Sequence, residues 1–445
     1  MTSDTAGARK VAAAAMIGTT LEWYDFILYG TASALVFNEL FFPGLTAAMG
    51  TIASFAVFAI GFLARPLGAV FFGHYGDRIG RKPMLIVTVG IMGAATVLIG
   101  LLPTANQIGV WAPILLLFLR LCQSFATGGE WGGAALMAVE HAPSHQRGLY
   151  GSLVQVGVPL GLVLANGVYL GVLGLMPGEQ FLAWGWRVPF LLAAVMLAVG
   201  IYIRVRTEES PTFVKFRNEQ AGQEPAKAPF LAAMAEKSQR RMLILAIGMK
   251  LSQNAIFFLF TVFAFTYLSD TVGMDDEIGL ESVILASLLG IVSIPAWAYL
   301  SDVVGRRAPM LFGAVASCIF PFIFFTMMDT GNVPLIIVGM VIGLNIVHDS
   351  IYGPQASYYA ELFNTGVRYT GASVAYHLAA VLSGGFAPLI ASVLLAWADG
   401  GTWLVSLYFL ALGLISTVCI YLAPETRTRS LDDRSDSRVA ERSSS

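Results

Sequence analysis

Polar and ionisable side chains fall at helical spacing inside four otherwise apolar runs. Glu22 and Asp25 stand one turn apart, with Gly18 and Tyr29 on the same face. Arg120, Gln123, Thr127 and Glu130 make a second stripe, and Lys250, Gln253, Asn254 and Thr261 a third. Asn345, His348, Asp349, Tyr352, Gln355 and Tyr359 make a fourth. A charge in such a run is costly, so each is expected to be paired or to line a wet cavity. The available chemistry is proton exchange and anion capture. Glu22, Asp25 and Asp349 are carboxyl groups able to take up and release a proton. Arg120 can hold an anion with a bidentate fork, Lys250 as a point charge. Gln123, Asn254, His348 and Tyr352 can add hydrogen bonds to a bound molecule, and His348 with Asp349 can form a proton relay.

Plainer alternatives stand beside these. Glu22 or Asp25 with Arg120 could be a static pair joining two helices. Glu130 sits among Gly128, Gly129, Gly132 and Gly133, where close helix packing is expected, so a structural or gating role is open. Lys250 lies toward one end of its run and could snorkel outward. Arg65, just before Pro66, reads as a packing or gating residue near the end of its run, and His377 as a hydrogen-bonded structural histidine. Gln155 and Asn166 share a face and are secondary cavity candidates. Trp23, Trp131 and Tyr359 read as packing or interface aromatics.

The elements that position these groups must be membrane-spanning helices. The 445 residues are 56% apolar and 12% charged, with a mean hydropathy of +0.72, whereas soluble domains carry roughly a quarter charged residues. A spanning helix needs about 20 apolar residues and satisfies its backbone internally. Apolar stretches fall near 11–37, 51–73, 84–103, 111–139, 148–173, 187–205, 242–269, 279–300, 308–328, 334–360, 370–395 and 402–422, which predicts twelve spans. The first run is too long for a signal-peptide core and is interrupted by Glu22 and Asp25, so it reads as a retained span.

Alternate connections differ in charge. Segments 38–50, 104–110, 174–186, 270–280, 329–333 and 396–402 contain no Lys or Arg. The other set carries Arg78, Arg81 and Lys82; Arg147; Lys215, Arg217, Lys227, Lys237, Arg240 and Arg241; Arg306 and Arg307; and Arg368. The tails add Arg9, Lys10, Arg427 and Arg429. Basic loops stay inside, so both termini and the 206–241 loop are expected to be cytoplasmic. The net charge of −2 is segregated by loop rather than gathered into a patch, so no nucleic-acid partner is expected. Cys122, Cys318 and Cys419 lie far apart without metal or redox spacing. Nothing matches a nucleophile motif or phosphate loop, so no cofactor, metal or enzymatic role is expected.

The chain also repeats itself. Gly73-His-Tyr-Gly-Asp77-Arg78-Ile-Gly80-Arg81-Lys82 follows the second span, and Ala298-Tyr-Leu-Ser-Asp302-Val-Val-Gly305-Arg306-Arg307 the eighth, with Asp77 and Asp302 225 residues apart. Glu140 and Arg147 follow the fourth span, and Glu361 and Arg368 the tenth, each displaced by 221. Glu208-Glu209-Ser210-Pro211 ends the sixth span and Pro424-Glu425-Thr426 the twelfth. Three paired signals in the same order predict two six-helix halves, at 1–205 and 242–424. A cytoplasmic linker at 206–241 joins them, and a short polar tail fills 425–445. Asp77 and Asp302 can pair with arginines or helix N-termini of a neighbouring helix and so lock the inward face.

These motifs resemble the major facilitator superfamily over essentially all of 10–425. Within it the pattern is similar to the metabolite:proton symporter family. The residues that carry this are Leu21-Glu-Trp-Tyr-Asp-Phe26, Arg65-Pro-Leu-Gly68, Arg120 with Gln123, Gly128-Gly-Glu-Trp131 and Trp184-Gly-Trp-Arg-Val-Pro-Phe190. Asn345-Ile-Val-His-Asp349, Val367-Arg-Tyr-Thr-Gly371 and Gly384-Gly-Phe-Ala-Pro388 look most like its shikimate branch. The resemblance implies a proton-coupled importer in a bacterial cytoplasmic membrane, working as a monomer on a small carboxylate-bearing metabolite. A zwitterionic osmolyte or a dicarboxylate is the alternative cargo, and a transport-inactive sensor or membrane enzyme the alternative class.

Overall fold

An apolar run in a bilayer must satisfy its backbone hydrogen bonds internally and so folds as a helix, and a computed structural model shows this across the described residues. The structure describes residues 2–431 except 45–46, 177, 208, 211–212, 216–217, 219–233, 235, 265–266 and 275. Arg217, Lys227, Glu208, Pro211 and the tail from 432 onward, all used in the sequence reading, lie outside the described residues.

The long helices are α1 (Thr2–Leu35), α2 (Ala47–Ile79), α3 (Arg81–Leu101), α4 (Trp111–His141), α5 (Arg147–Leu175), α6 (Arg187–Arg206), α7 (Lys237–Phe263), α8 (Asp276–Val304), α9 (Arg307–Met328), α10 (Val333–Leu362), α11 (Arg368–Trp397) and α12 (Trp403–Leu422). Among the described residues, eleven helices are long and apolar enough to cross a membrane, and no strand occurs. The helix α2 is 33 residues long, with part of its length outside the described side chains. It is longer than the 51–73 run suggested. Arg65 therefore lies mid-helix, about 20 Å from Ile79 at 1.5 Å per residue, rather than near a helix end.

Helices before residue 207 pack mainly on one another: α1 on α5, α2 and α3 on α4, and α3 on α6. Those after residue 236 do the same, with α12 against α7 and α9, and α8 against α10. The two sets meet where α5 touches α8 and α10, and where α11 touches α2 and α4. Glycine makes the tightest of these approaches. A Cβ on Gly128 would lie 2.1 Å from the Arg65 carbonyl oxygen, so α4 and α2 touch backbone to backbone.

Among the described residues, π-helical turns, a distortion that often marks functional sites, occur within α7, α10 and α11 and also at Phe181–Gly185 and Tyr267–Val272. The turn Ile342–His348 in α10 carries Asn345 and His348 and runs directly into Asp349. The turn Ala380–Gly385 interrupts α11, and Leu259–Phe263 closes α7.

Candidate functional site

In the first helix set, Asp25 and Arg120 are joined by a chain of hydrogen bonds. The Arg120 guanidinium donates to Gln123 Oε1 at 2.6 Å. The Gln123 amide donates to Thr96 Oγ1 at 2.8 Å, and the Thr96 hydroxyl donates to Asp25 Oδ2 at 2.8 Å. All four side chains are buried. Three helices supply them: α1 the acid, α3 the hydroxyl, and one turn of α4 the amide and guanidinium. Aromatic faces hold the cations. Arg120 lies 4.3 Å from the Tyr29 ring centroid, and Arg65 lies 4.5 Å from Phe62 and 4.9 Å from Phe26.

Glu22, one turn before Asp25, is buried, and its Oε2 has no hydrogen-bond partner among the described residues. Glu130 behaves differently. It accepts from Arg204 at 2.7 Å and from the Thr88 hydroxyl at 2.9 Å, a closed buried pair. A Cβ on Gly18 would fall 2.2 Å from Arg204 Nη2, so the glycine lets the guanidinium cross α1. Glu130 thus takes the structural arrangement, with a partner sequence reasoning did not single out.

A second chain runs through the other helix set. Lys250 Nζ donates to Gln253 Oε1 at 2.8 Å and to Gln355 Oε1 at 3.2 Å. The Gln253 amide meets His348 Nε2 at 2.6 Å, and His348 Nδ1 meets Asp349 Oδ1 at 2.8 Å. With Gln253 donating, His348 carries its proton on Nδ1. Asp349 Oδ2 also accepts from Ser293 and, at 3.3 Å, from Asn345. Lys250 is 1% exposed and sits 3.6 Å from the Tyr376 ring centroid. Its ammonium points inward, which overturns the outward-snorkelling alternative. Trp131 stacks on Tyr376 at 3.8 Å, so this aromatic backs the lysine's ring. Asn254 is not brought into the chain: it donates to the Ala380 carbonyl at 3.4 Å, beside Gly384. Tyr352, His348 and Asp349 line a cleft between α5 and α8 with Asn345, Pro159 and Gly290. Gln155 spans the two sets, accepting from Trp131 at 2.9 Å and donating to the Tyr352 carbonyl at 3.1 Å.

At the end of the bundle that bears the basic connections, the repeated motifs meet. Asp77 accepts from the backbone N–H groups of Tyr369 and Thr370 at 3.0 and 2.9 Å, capping the N-terminus of α11. Asp302 accepts from Gly148 and Leu149 at 2.8 and 2.9 Å, capping α5 in the same way. Arg81 reaches Glu140 at 3.1 Å, and Arg306 reaches Glu361 at 3.1 Å. Each glutamate also faces an arginine of the opposite set: Glu140 with Arg368 at 2.9 Å, Glu361 with Arg147 at 3.9 Å. Ser210 donates to Glu140 as Thr426 does to Glu361. Glu209 accepts from Lys82 N as Glu425 does from Arg307 N. Gly80 and Gly305 turn the chain at φ +120° and +101°, which suits glycine. Gly73 lets α2 approach Thr370, where a Cβ would lie 2.6 Å from the threonine Cα. Arg78 does not join this cluster; it is exposed beside His74.

The residues matching the Major Facilitator Superfamily model are 15–388. This chain belongs to the major facilitator superfamily. It is 40% identical over 420 residues to the shikimate transporter of Escherichia coli (strain K12), covering 94% of this chain and 95% of that protein. It is 39% identical over 431 residues to the inner membrane metabolite transport protein YhjE of the same organism, with 95% of each chain covered. Its identity to the Escherichia coli (strain K12) proline/betaine transporter is 32% over 428 residues, 95% of this chain and 85% of that one. The fold matches the proton:xylose symporter XylE bound to 6-bromo-6-deoxy-D-glucose with a TM-score of 0.73 at 16% identity, covering 96% and 98% of the two chains. The chain is therefore a multi-pass membrane transporter, and its named relatives are transporters rather than enzymes.

Sequence reasoning missed several members of these networks. Thr96 and Ser293 are ordinary polar residues in spans, and their partners lie on other helices. Gln355 stands in the fourth stripe without a role, and its partner Lys250 lies on α7. Arg204 stands close to a helix end, where a snorkelling arginine is the usual expectation. Residues 429–431 read as polar tail. Yet Leu431 is buried against Phe72 and Leu136 of one set and Ala360 and Tyr369 of the other, and its carbonyl accepts from Arg368 at 2.8 Å.

Proposed function

We propose that this chain is an alternating-access importer that couples proton uptake to entry of a small hydroxylated carboxylate, shikimate-like in class. The observation that carries it is the Asp25–Thr96–Gln123–Arg120 chain, which ties a carboxyl group to a guanidinium through two side chains that both donate and accept. An anionic substrate that engages Arg120 withdraws its charge from this chain, and Asp25 is then better accommodated as the neutral acid. Substrate and proton load together. Glu22 and Asp349 are the other proton-carrying candidates, each joined to its own set.

Substrate contacts are assigned to Arg120, Gln123, Lys250, His348 and Tyr352, with Asn254 shaping the wall near Ala380. With Glu130 neutralised by Arg204, three carboxyl groups (Glu22, Asp25, Asp349) oppose three cations (Arg65, Arg120, Lys250). A balanced site suits a single negative charge. The zwitterion reading is kept because one relative is named a proline/betaine transporter, and a zwitterion also suits charge balance.

The moving parts are two halves, 1–205 and 242–424, of six spans each, joined by 206–241 with 425–445 as tail. The positive-inside rule supports cytoplasmic termini, in a bacterial cytoplasmic membrane and as a monomer. Asp77, Arg81, Glu140, Arg147, Asp302, Arg306, Glu361 and Arg368 form the cytoplasmic gate, with Gly73, Gly80 and Gly305 allowing its close contacts. Arg78 is left to positive-inside orientation.

The test is uptake into proteoliposomes under an imposed inward proton gradient, with labelled shikimate, 2-oxoglutarate, citrate, proline and betaine. Gradient-driven accumulation of shikimate, and counterflow with internal unlabelled shikimate, is the expected result. Accumulation of proline or betaine instead selects the osmolyte reading, and no uptake of any compound contradicts the substrate class.

A further inference from the structure

The helices α2 and α11 run antiparallel across the junction of the two sets. A Cβ on Gly73 would come within 2.6 Å of Thr370, one on Gly76 within 2.1 Å of the Tyr369 ring, and one on Gly385 within 3.5 Å of Phe62. Val381 also packs against the cluster of Phe26, Phe62 and Phe258. Between these contacts the register brings Arg65 of α2 level with His377 of α11. Both are buried, His377 completely. Neither ring nitrogen of His377, nor Nε of Arg65, has a hydrogen-bond partner among the described residues. Tyr376 lies beside the imidazole at 5.2 Å and carries the Lys250 ammonium on its face. Glu22 Oε2 and Gln355 Nε2 are likewise unpartnered.

Buried polar atoms are almost always paired, so a cluster of exceptions between two helix sets marks where another molecule's polar atoms belong. The imidazole narrows what that molecule carries. A neutral histidine presents one donor and one acceptor nitrogen. A carboxylate satisfies only the donor; an adjacent hydroxyl satisfies the acceptor.

We propose that Arg65 and His377 form a substrate clamp across the two halves, Arg65 holding the carboxylate and His377 reading a hydroxyl beside it. The clamp rests on the reading of the chain as a transporter of hydroxylated carboxylates and adds α2 and α11 to the helices that touch the cargo. Because its two residues belong to opposite sets, a bound hydroxy acid draws α2 and α11 together. A betaine brings a carboxylate without any O–H or N–H, leaving the acceptor nitrogen unpaired. A site built to bond a hydroxyl rejects an analogue without it strongly.

The test measures binding of shikimate and of cyclohex-1-ene-1-carboxylate, the same ring acid without hydroxyls, to purified wild type, His377→Phe and His377→Gln by calorimetry. The expected result is that His377→Phe lowers the preference for shikimate about tenfold or more, the scale of one lost hydrogen bond. Its affinity for the unhydroxylated acid should stay near wild type, which also shows that the variant folds. His377→Gln, which keeps a donor and an acceptor, should retain part of the preference. An unchanged preference in His377→Phe, or equal weakening of both ligands, overturns the clamp. If wild type binds neither acid, the substrate class falls and the clamp with it.

Discussion

Thr370 binds Asp77 twice: its backbone N–H and its hydroxyl both donate to Asp77 Oδ2, at 2.9 and 2.6 Å. Asp77 comes from α2 and Thr370 from the first turn of α11, so this contact crosses the two helix sets. Its counterpart Asp302, in the last turn of α8, makes the same kind of crossing to Gly148 and Leu149 on the first turn of α5.

Asp77→Asn removes the charge and one acceptor oxygen from this junction. Hydrogen bonds to a charged group are worth about 1.5–3 kcal/mol each, so the closed-to-open ratio at the basic face should fall roughly tenfold or more. Spin-label distances between α2 and α11 on that face report the ratio. Asp302→Asn should act in the same direction at the α5–α8 contact.

The two crossing ion pairs are unequal. Arg368 sits 2.9 Å from Glu140 and Arg147 3.9 Å from Glu361, and Arg147 also donates to the Arg429 carbonyl at 2.7 Å. Removing one partner of a buried pair costs about 3–5 kcal/mol because the other charge is left alone. Arg368→Gln should therefore lower thermal stability more than Arg147→Gln, as read by melting in detergent. Arg81 also binds Glu140, so an exchange of Glu140 and Arg368 should restore only part of the loss.

Leu431 should act as a wedge between the halves. Burying a leucine contributes about 1.5–3 kcal/mol, and here the burial requires both sets. Leu431→Asp should make the basic face more accessible to thiol labelling at an introduced cysteine near Tyr369. Unchanged labelling would show that the tail is not part of the closed state.

Glu425 lies beyond the last span and offers a pH signature. Burial pushes its carboxyl up, but the backbone N–H groups of Arg306, Arg307, Arg427 and Thr426 outweigh this, so its pKa lies below the ordinary glutamate value. A depressed folded pKa stabilises the fold above the unfolded pKa and is lost as pH falls through the folded one. Glu425→Gln should therefore melt below wild type at neutral pH, with the difference shrinking as pH falls below the usual glutamate range.

Much of this architecture is legible in the sequence because membrane burial is strict. Glu22, Asp25, Arg120, Lys250, His348 and Asp349 stand out in apolar runs, since charge there needs a reason. The Asp77/Asp302 and Glu140/Glu361 offsets reveal repetition without any structure. Thr96 and Ser293 do not stand out, because a neutral polar residue in a span is common and its partner is set by helix rotation. His377 reads as structural, since its register against Arg65 depends on where α2 ends, and the apolar run alone makes that helix too short. Lys250 shows the same limit: whether it points outward or inward depends on Tyr376, more than a hundred residues away.

The most direct test of proton coupling through Asp25 compares Asp25→Asn with wild type in proteoliposomes loaded with unlabelled shikimate, with and without an inward proton gradient. The amide keeps a polar partner for Thr96 and cannot exchange a proton. The account predicts that Asp25→Asn retains counterflow exchange of labelled shikimate and loses gradient-driven accumulation. Accumulation by Asp25→Asn at the wild-type level, with the same dependence on the gradient, would contradict it.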